Sequence, residues 1–158
     1  MTFSDIFKKW GLEKIKINAK FAEMEFKLVE DDQIAAWEMY VELLTRITTQ
    51  SLDDEVGDEE TALTSIYNLF DITRDILKTK GRNATQFTKV AIIVMNQIIR
   101  PFTAKWHKKK IDGAFSDWGE CYTFRTELKE LQDNLISYTR LLAEMATVED
   151  LTVINSID

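Results

Sequence analysis

The sequence predicts a mainly α protein, a bundle of about four long helices preceded by a short N-terminal β-strand or hairpin, in a single helical domain spanning 1–158. Three observations carry this expectation. Apolar residues recur at three- and four-residue spacing through most of the chain, the pattern of helices that bury one face. Five glycines and a single proline, Pro101, are present, whereas a β-sandwich or barrel needs many tight turns built from such residues. A chain of 158 residues with 45% hydrophobic and 30% charged side chains suffices for one core, which at this size buries roughly 70% of the surface of the unfolded chain.

At the N-terminus, Ser4 is expected to cap a short helical turn through Trp10, with Phe3, Ile6, Phe7 and Trp10 at helical spacing and Gly11 as the stop. The period then changes to two. Ile15, Ile17, Ala19 and Phe21 alternate with polar residues, and after a one-residue phase shift Ala22, Met24, Phe26 and Leu28 do the same. This predicts a β-strand or hairpin over about 14–29, inside an extended segment 1–30, with the phase shift read as a bulge or a reversal. Two strands alone are marginal, so the segment must pack on the helices or pair with the edge of another chain.

The first long helix is expected to start after Asp31 and Asp32, whose carboxylates suit a helix N-terminus, and to run to about Gln50 with Ile34, Trp37, Val41, Leu44 and Ile47 on its buried face, widened by Tyr40 and Leu43. Residues 51–60 read as an acidic loop. The second helix, about Glu59 to Lys80, buries Leu63, Ile66, Phe70, Thr73 and Leu77 and stops at Gly81. The third begins near Asn83 and is apolar on several sides, through Phe87, Val90, Ile93, Val94 and Ile98. Pro101 removes a backbone donor at a cost of about 3 kcal/mol in a straight helix, which predicts a kink or break near Gln97 to Pro101. Ser116 caps the fourth helix, whose stripe runs Trp118, Cys121, Phe124, Leu128, Leu131, Leu135, Tyr138, Leu142 and Met145. A C-terminal tail over 147–158 folds back or engages a partner.

Charge and composition narrow the function classes. A net charge of −7 disfavours non-specific adhesion to nucleic acid or anionic membrane, unless a local basic patch overrules it. One cysteine, Cys121, permits no internal disulfide, and with no secretory leader pattern at the N-terminus the expected location is cytoplasmic. The longest apolar run, Val90 to Met95, is far shorter than the roughly 20 residues of a membrane span.

Metal and cofactor chemistry is not expected. The acidic run from Asp53 to Glu60 lacks the alternating ligands of an EF-hand, and the pairs Glu38 with Glu42 and Asp71 with Asp75 lack a Glu-x-x-His partner. Cys121 reads as a small buried hydrophobe. Trp10, Trp37, Trp106 and Trp118 read as core anchors, with any exposed one marking a contact surface.

One constellation stands out. In the string RPFTAKWH, Arg100 and the only histidine, His107, lie seven residues apart, a separation that returns to one helix face about 10 Å away. Lys105, Trp106, Lys108, Lys109 and Lys110 surround it. His107, Lys108, Lys109 and Lys110 suit a helix C-terminus, where cations complement the dipole, with Arg100 paired to a nearby carboxylate. Arg100, Lys105, Trp106 and the same lysines also suit a single-stranded nucleic-acid surface built from charge and stacking.

The Arg100 and His107 spacing resembles the arginine, four to six residues, histidine motif of the HEPN superfamily, although Pro101 stands where a polar residue is common. That resemblance implies a helical, dimeric, metal-independent ribonuclease in which the histidine moves protons and the arginine stabilises charge on the scissile phosphate. Across nearly its full length, through KINAKFAEMEF, AAWEMYVELLTRITTQ, FTKVAIIVMNQIIRPFTAKWH and RLLAEMATVEDLT, the chain also resembles a set of uncharacterised bacterial helical proteins. That second resemblance implies association with conflict or antiviral-defence loci and carries no catalytic residues. The leading expectation is a non-enzymatic interaction module, an adaptor or structural subunit, with a protein partner or self-association. RNA cleavage by Arg100 and His107, and nucleic-acid binding by the basic end of the third helix, are the alternatives.

Overall fold

Several helices begin where a side chain accepts one of their first backbone N–H groups. The computed structural model describes residues 1–154, so the last four residues of the expected tail lie outside the described residues. Helix α1, Phe3–Lys9, is capped by Thr2 rather than Ser4. The Thr2 hydroxyl accepts from the Asp5 N–H at 3.2 Å and the Asp5 carboxylate accepts from the Thr2 N–H at 2.9 Å, a reciprocal capping box. Gly11, at φ +70°, ends the turn in the left-handed region that glycine enters freely.

No strand forms over 14–29 among the described residues; the alternating segment instead wraps the bundle as an irregular arm. A short helix, α2, spans Ala19–Ala22, capped by Asn18 through the Phe21 N–H. The backbone groups that a neighbouring strand would have satisfied find other partners. The Gln97 side-chain amide accepts from the Lys16 N–H at 2.8 Å and donates to the Lys16 carbonyl at 2.7 Å, and a single bridge joins Thr2 to Glu25. Apolar contact does the rest: the Phe21 and Phe26 rings close on Phe3 at 4.6 Å and 5.1 Å. The alternation placed these rings inward, and side-chain clamping outcompeted strand pairing for lack of a second strand.

Four helical rods follow. Helix α3 spans Glu30–Leu44. Helices α4, Glu59–Tyr67, and α5, Leu69–Ile76, meet at Asn68 and continue into a π-turn, Leu77–Gly81. Helix α6, Thr85–Val94, passes through a second π-turn, Met95–Ile99, into α7, Arg100–Ile111. Helix α8, Trp118–Ala146, is capped by Asp117 rather than Ser116. The core lies between α3 and α8, which pack together most extensively, with α6 against α3 and α4 against α7. No helix among the described residues is long and apolar enough to cross a membrane.

Asp32 ties two rods together. Buried completely, its carboxylate accepts from the Val29 N–H at the start of α3 and from the Gln86 and Phe87 N–H groups at the start of α6, at 2.9–3.0 Å. Helix α6 has no cap of its own, since Ala84 stands at that position, so the carboxylate reaches across from the neighbouring rod to the orphan donors.

Three expectations about the rods are corrected. Helix α3 ends at Leu44 instead of near Gln50, because the Thr48 and Thr49 hydroxyls take the Leu43 carbonyl that a further turn would need. Its buried face is Ala35, Ala36, Met39, Tyr40 and Leu43, whereas Ile34, Trp37 and Val41 point outward at 39%, 46% and 38% exposure. Near Gln97 to Pro101, where a kink or break is expected, the third rod is irregular but unbroken. The π-turn widens the backbone just before it, the Arg100 N–H reaching back to the Met95 carbonyl, and proline enters at the start of α7 where its missing donor costs little.

Gly81 is needed at the first π-turn for space: a Cβ there would lie 2.8 Å from the Thr88 hydroxyl. At the other end, the Tyr40 hydroxyl donates to the Glu149 carbonyl and accepts from the Leu151 N–H, holding the segment after α8 against α3.

Candidate functional site

Arg100 is the first residue of α7, directly after the π-turn, and His107 lies two turns further on. The spacing brings both to one surface strip, and side chains from the second rod join them there. The Arg100 guanidinium sits 4.6 Å from the Phe70 ring centroid and donates from Nε and Nη2 to the Asn96 side-chain oxygen at 3.2 Å and 3.1 Å. Tyr67 meets Phe70 at 5.7 Å and meets His107 edge-on at 4.7 Å. Arg74, one turn beyond Phe70, places its guanidinium 5.7 Å from the same ring.

Charge on this strip is only partly compensated. Arg74 donates to Asp71 at 2.9 Å, but Arg100 faces a neutral amide, and among the described residues no carboxylate pairs with it. His107 is half-buried. Burial pushes its imidazole below the ordinary value, with the nearby Lys110 charge adding to the effect, so the ring is neutral at pH 7. Ala104, exposed and small, lies between Arg100 and His107 on the helix and leaves the strip open there.

The neighbouring basic group is arranged differently. Trp106 is fully buried, packed on Phe115 and Phe124, with its indole N–H donating to Glu127 at 2.6 Å. It has no free face on which a base could stack. Lys105 pairs with the same Glu127, Lys109 with Glu120 at 2.7 Å and Lys110 with Glu60 at 2.8 Å. These lysines fasten α7 to α8 and α4, and Lys108 alone of the run stays exposed without such a partner.

Other candidates take ordinary places. Cys121 is half-buried with its thiol 3.4 Å from the Phe115 carbonyl, and burial, then Glu59, raises its pKa, which leaves it a poor nucleophile. Arg125 organises the acidic loop, donating to Glu59 and to the carbonyls of Asp53 and Gly57. Among the described residues no group of three or more His, Cys, Asp or Glu side chains is placed to hold a metal ion.

Tyr67, Phe70 and Arg74 are the members of the strip that sequence reasoning missed. A signal existed, because spacings of three and four place them on one face of the second rod. What the sequence lacked was the pairing of that face with α7.

No family model, no characterised protein and no solved structure matches this chain.

Proposed function

We propose that the chain is a helical interaction module, an adaptor or structural subunit that binds another protein through the outward face of α3. The observation that carries this reading is the stripe of Ile34, Trp37 and Val41, three large apolar side chains left in water on a helix whose opposite face is buried. Together with Ile72 and Ile76 of the second rod, Trp37 and Val41 line a groove of about 400 Å³. Glu38, Glu42 and Asp75 also line it, and exposed apolar side chains set among polar ones mark contact sites, with an aromatic anchor the usual energetic focus. A second exposed pair, Trp118 stacked on Tyr122 at 6.1 Å, adds a further contact surface at the start of α8.

The test compares wild type with Trp37→Glu, both expressed in the native host and sized in gentle extracts. The wild type should run in an assembly well above its 18.4 kDa, and the variant should run alone with an unchanged thermal melt. Recovery of both proteins alone would end this reading.

A second reading rests on the strip. Arg100 and His107 share one face, and the neutral imidazole suits a general base that takes the proton of an attacking hydroxyl while the guanidinium offsets charge developing on phosphate. RNA incubated with the protein in the absence of metal should then be cut, and His107→Ala should abolish the cutting. An inert wild type would dismiss RNA cleavage.

A further inference from the structure

We propose that the strip formed by Tyr67, Phe70 and Arg74 with Arg100 and His107 binds single-stranded nucleic acid, a phosphate at the two guanidiniums and a base on the exposed Tyr67 ring. The inference extends the cleavage reading above by naming residues that would hold the strand, and it stands whether or not the strand is cut.

Four features point to this ligand. Two guanidinium groups from different rods approach one phenyl ring, at 4.6 Å and 5.7 Å. Arg100 donates from Nε and Nη2 to Asn96 and Arg74 from Nη1 to Asp71, and the remaining N–H groups of each guanidinium can meet an oxyanion. Arg100 spends two N–H groups on an amide oxygen, which leaves its full charge unanswered, while ion pairs hold Lys105, Lys109 and Lys110 on the same helix. A cation with no carboxylate partner in a chain of net charge −7 is the feature an anionic ligand would complete.

The third feature is Tyr67, 48% exposed, whose ring is propped on one side by His107 edge-on and on another by Phe70. A fixed, half-exposed aromatic ring beside arginine is the arrangement that stacks successive bases regardless of sequence. The fourth is the gap. Ala104 separates Arg100 from His107, so the backbone of a strand can lie along α7 without meeting a large side chain.

The shape favours a single strand over a duplex, because only an unpaired base can turn its face to Tyr67. Asp71 lies within the strip, bonded to Arg74, so the attraction is local and modest, and salt should weaken it.

The experiment measures fluorescence anisotropy of a labelled oligo(U) of roughly 12 nucleotides, within the site sizes such surfaces occupy, in EDTA and at several salt concentrations. An oligo(dT) and a duplex of equal length serve as competitors. Wild type should bind both single strands and discriminate against the duplex. Tyr67→Ala should weaken binding roughly 5- to 150-fold, the span measured for one stacked base, while Tyr67→Phe should retain it. Arg74→Ala and Arg100→Ala should each flatten the dependence of log K on log salt by about 0.7, a change that a merely loosened fold would not produce. Lys109→Ala, whose partner Glu120 lies on α8, should leave affinity and slope unchanged.

Absence of binding at low salt, equal affinity for the duplex, or indifference to Tyr67→Ala would each overturn the site. A strand held but never cut would remove the cleavage reading and leave this one intact. Cutting at an unchanged rate by Tyr67→Ala and Arg74→Ala would do the reverse.

Discussion

Helix α7 has two faces built from the same residue types and put to opposite uses. On one, Lys105, Lys109 and Lys110 meet Glu127, Glu120 and Glu60, and Trp106 is sealed among Phe115 and Phe124. On the other, Arg100 rests on a phenyl ring with no carboxylate among the described residues to meet it, and the Tyr67 ring is 48% exposed. The run of lysines looks like the binding surface when charges are counted along the chain, yet its charge is already spent on packing the rods. Whether a cation is available depends on which glutamates neighbouring helices bring within reach, and that is a property of the fold.

The largest test of this contrast is Trp106→Ala. If the lysine face is structural, removing a fully buried indole should cost about 3–5 kcal/mol in urea unfolding, and a loss under about 1 kcal/mol would place Trp106 among the surface residues. Next is Glu127→Gln, which removes the charge that both Lys105 and the indole N–H use. A loss of about 1–2 kcal/mol is expected, the cost of weakening a charged acceptor at a part-buried donor. Smaller still is Lys110→Ala, within about 0–1 kcal/mol because the pair with Glu60 is largely exposed.

The strip should respond to pH rather than to truncation. His107 is held below its ordinary value, so the unfolded chain takes up the proton first. Stability should therefore fall as pH drops through the ordinary value near 6.5, with the loss complete once pH lies below the folded value. Urea midpoints of wild type and His107→Gln at pH 7.5 and 5.5 isolate this contribution, since the carboxylates titrate in both, and the wild type should show the larger drop. The smallest effect belongs to Arg100→Ala, whose stability should stay within about 0.5 kcal/mol of wild type. A larger loss would show that Arg100 is structural after all and erase the difference between the faces.

Much of the fold was legible because burial follows helical period. The fourth rod is the clearest case, where Phe124, Leu128, Leu131, Leu135, Tyr138, Leu142 and Met145 are buried as their spacing implies. Its start was less so: Trp118 belongs to the same stripe by period but lies beyond the reach of the other rods, 84% exposed. Helix α3 misled for a different reason. Apolar residues occupy both sides of it, and the larger ones, Ile34, Trp37 and Val41, outweigh the Ala35, Ala36 and Met39 that are fully buried. Small residues allow close approach of rods, while size alone suggests burial.

The N-terminal arm failed on partners. Alternation over 14–29 specifies which side chains turn inward, but a strand also needs a neighbour, and here a glutamine amide and an asparagine cap serve the backbone instead. Of the strip, Arg100 and His107 were readable from one helix. Tyr67, Phe70 and Arg74 were not, since their meeting with α7 is a long-range contact that no local period encodes.

The π-turn at Met95–Ile99 acts as a phase setting for everything downstream. It carries one residue more than an α-helical turn, and each residue of an α-helix rotates the chain by about 100° and advances it by about 1.5 Å. Were the same five residues wound as a regular α-helix, α7 would swing through that angle relative to α6, turning Trp106 away from its aromatic seat and carrying Arg100 and His107 off the second rod together. The winding of one surplus residue thus decides which side of the helix faces the interior and which faces outward.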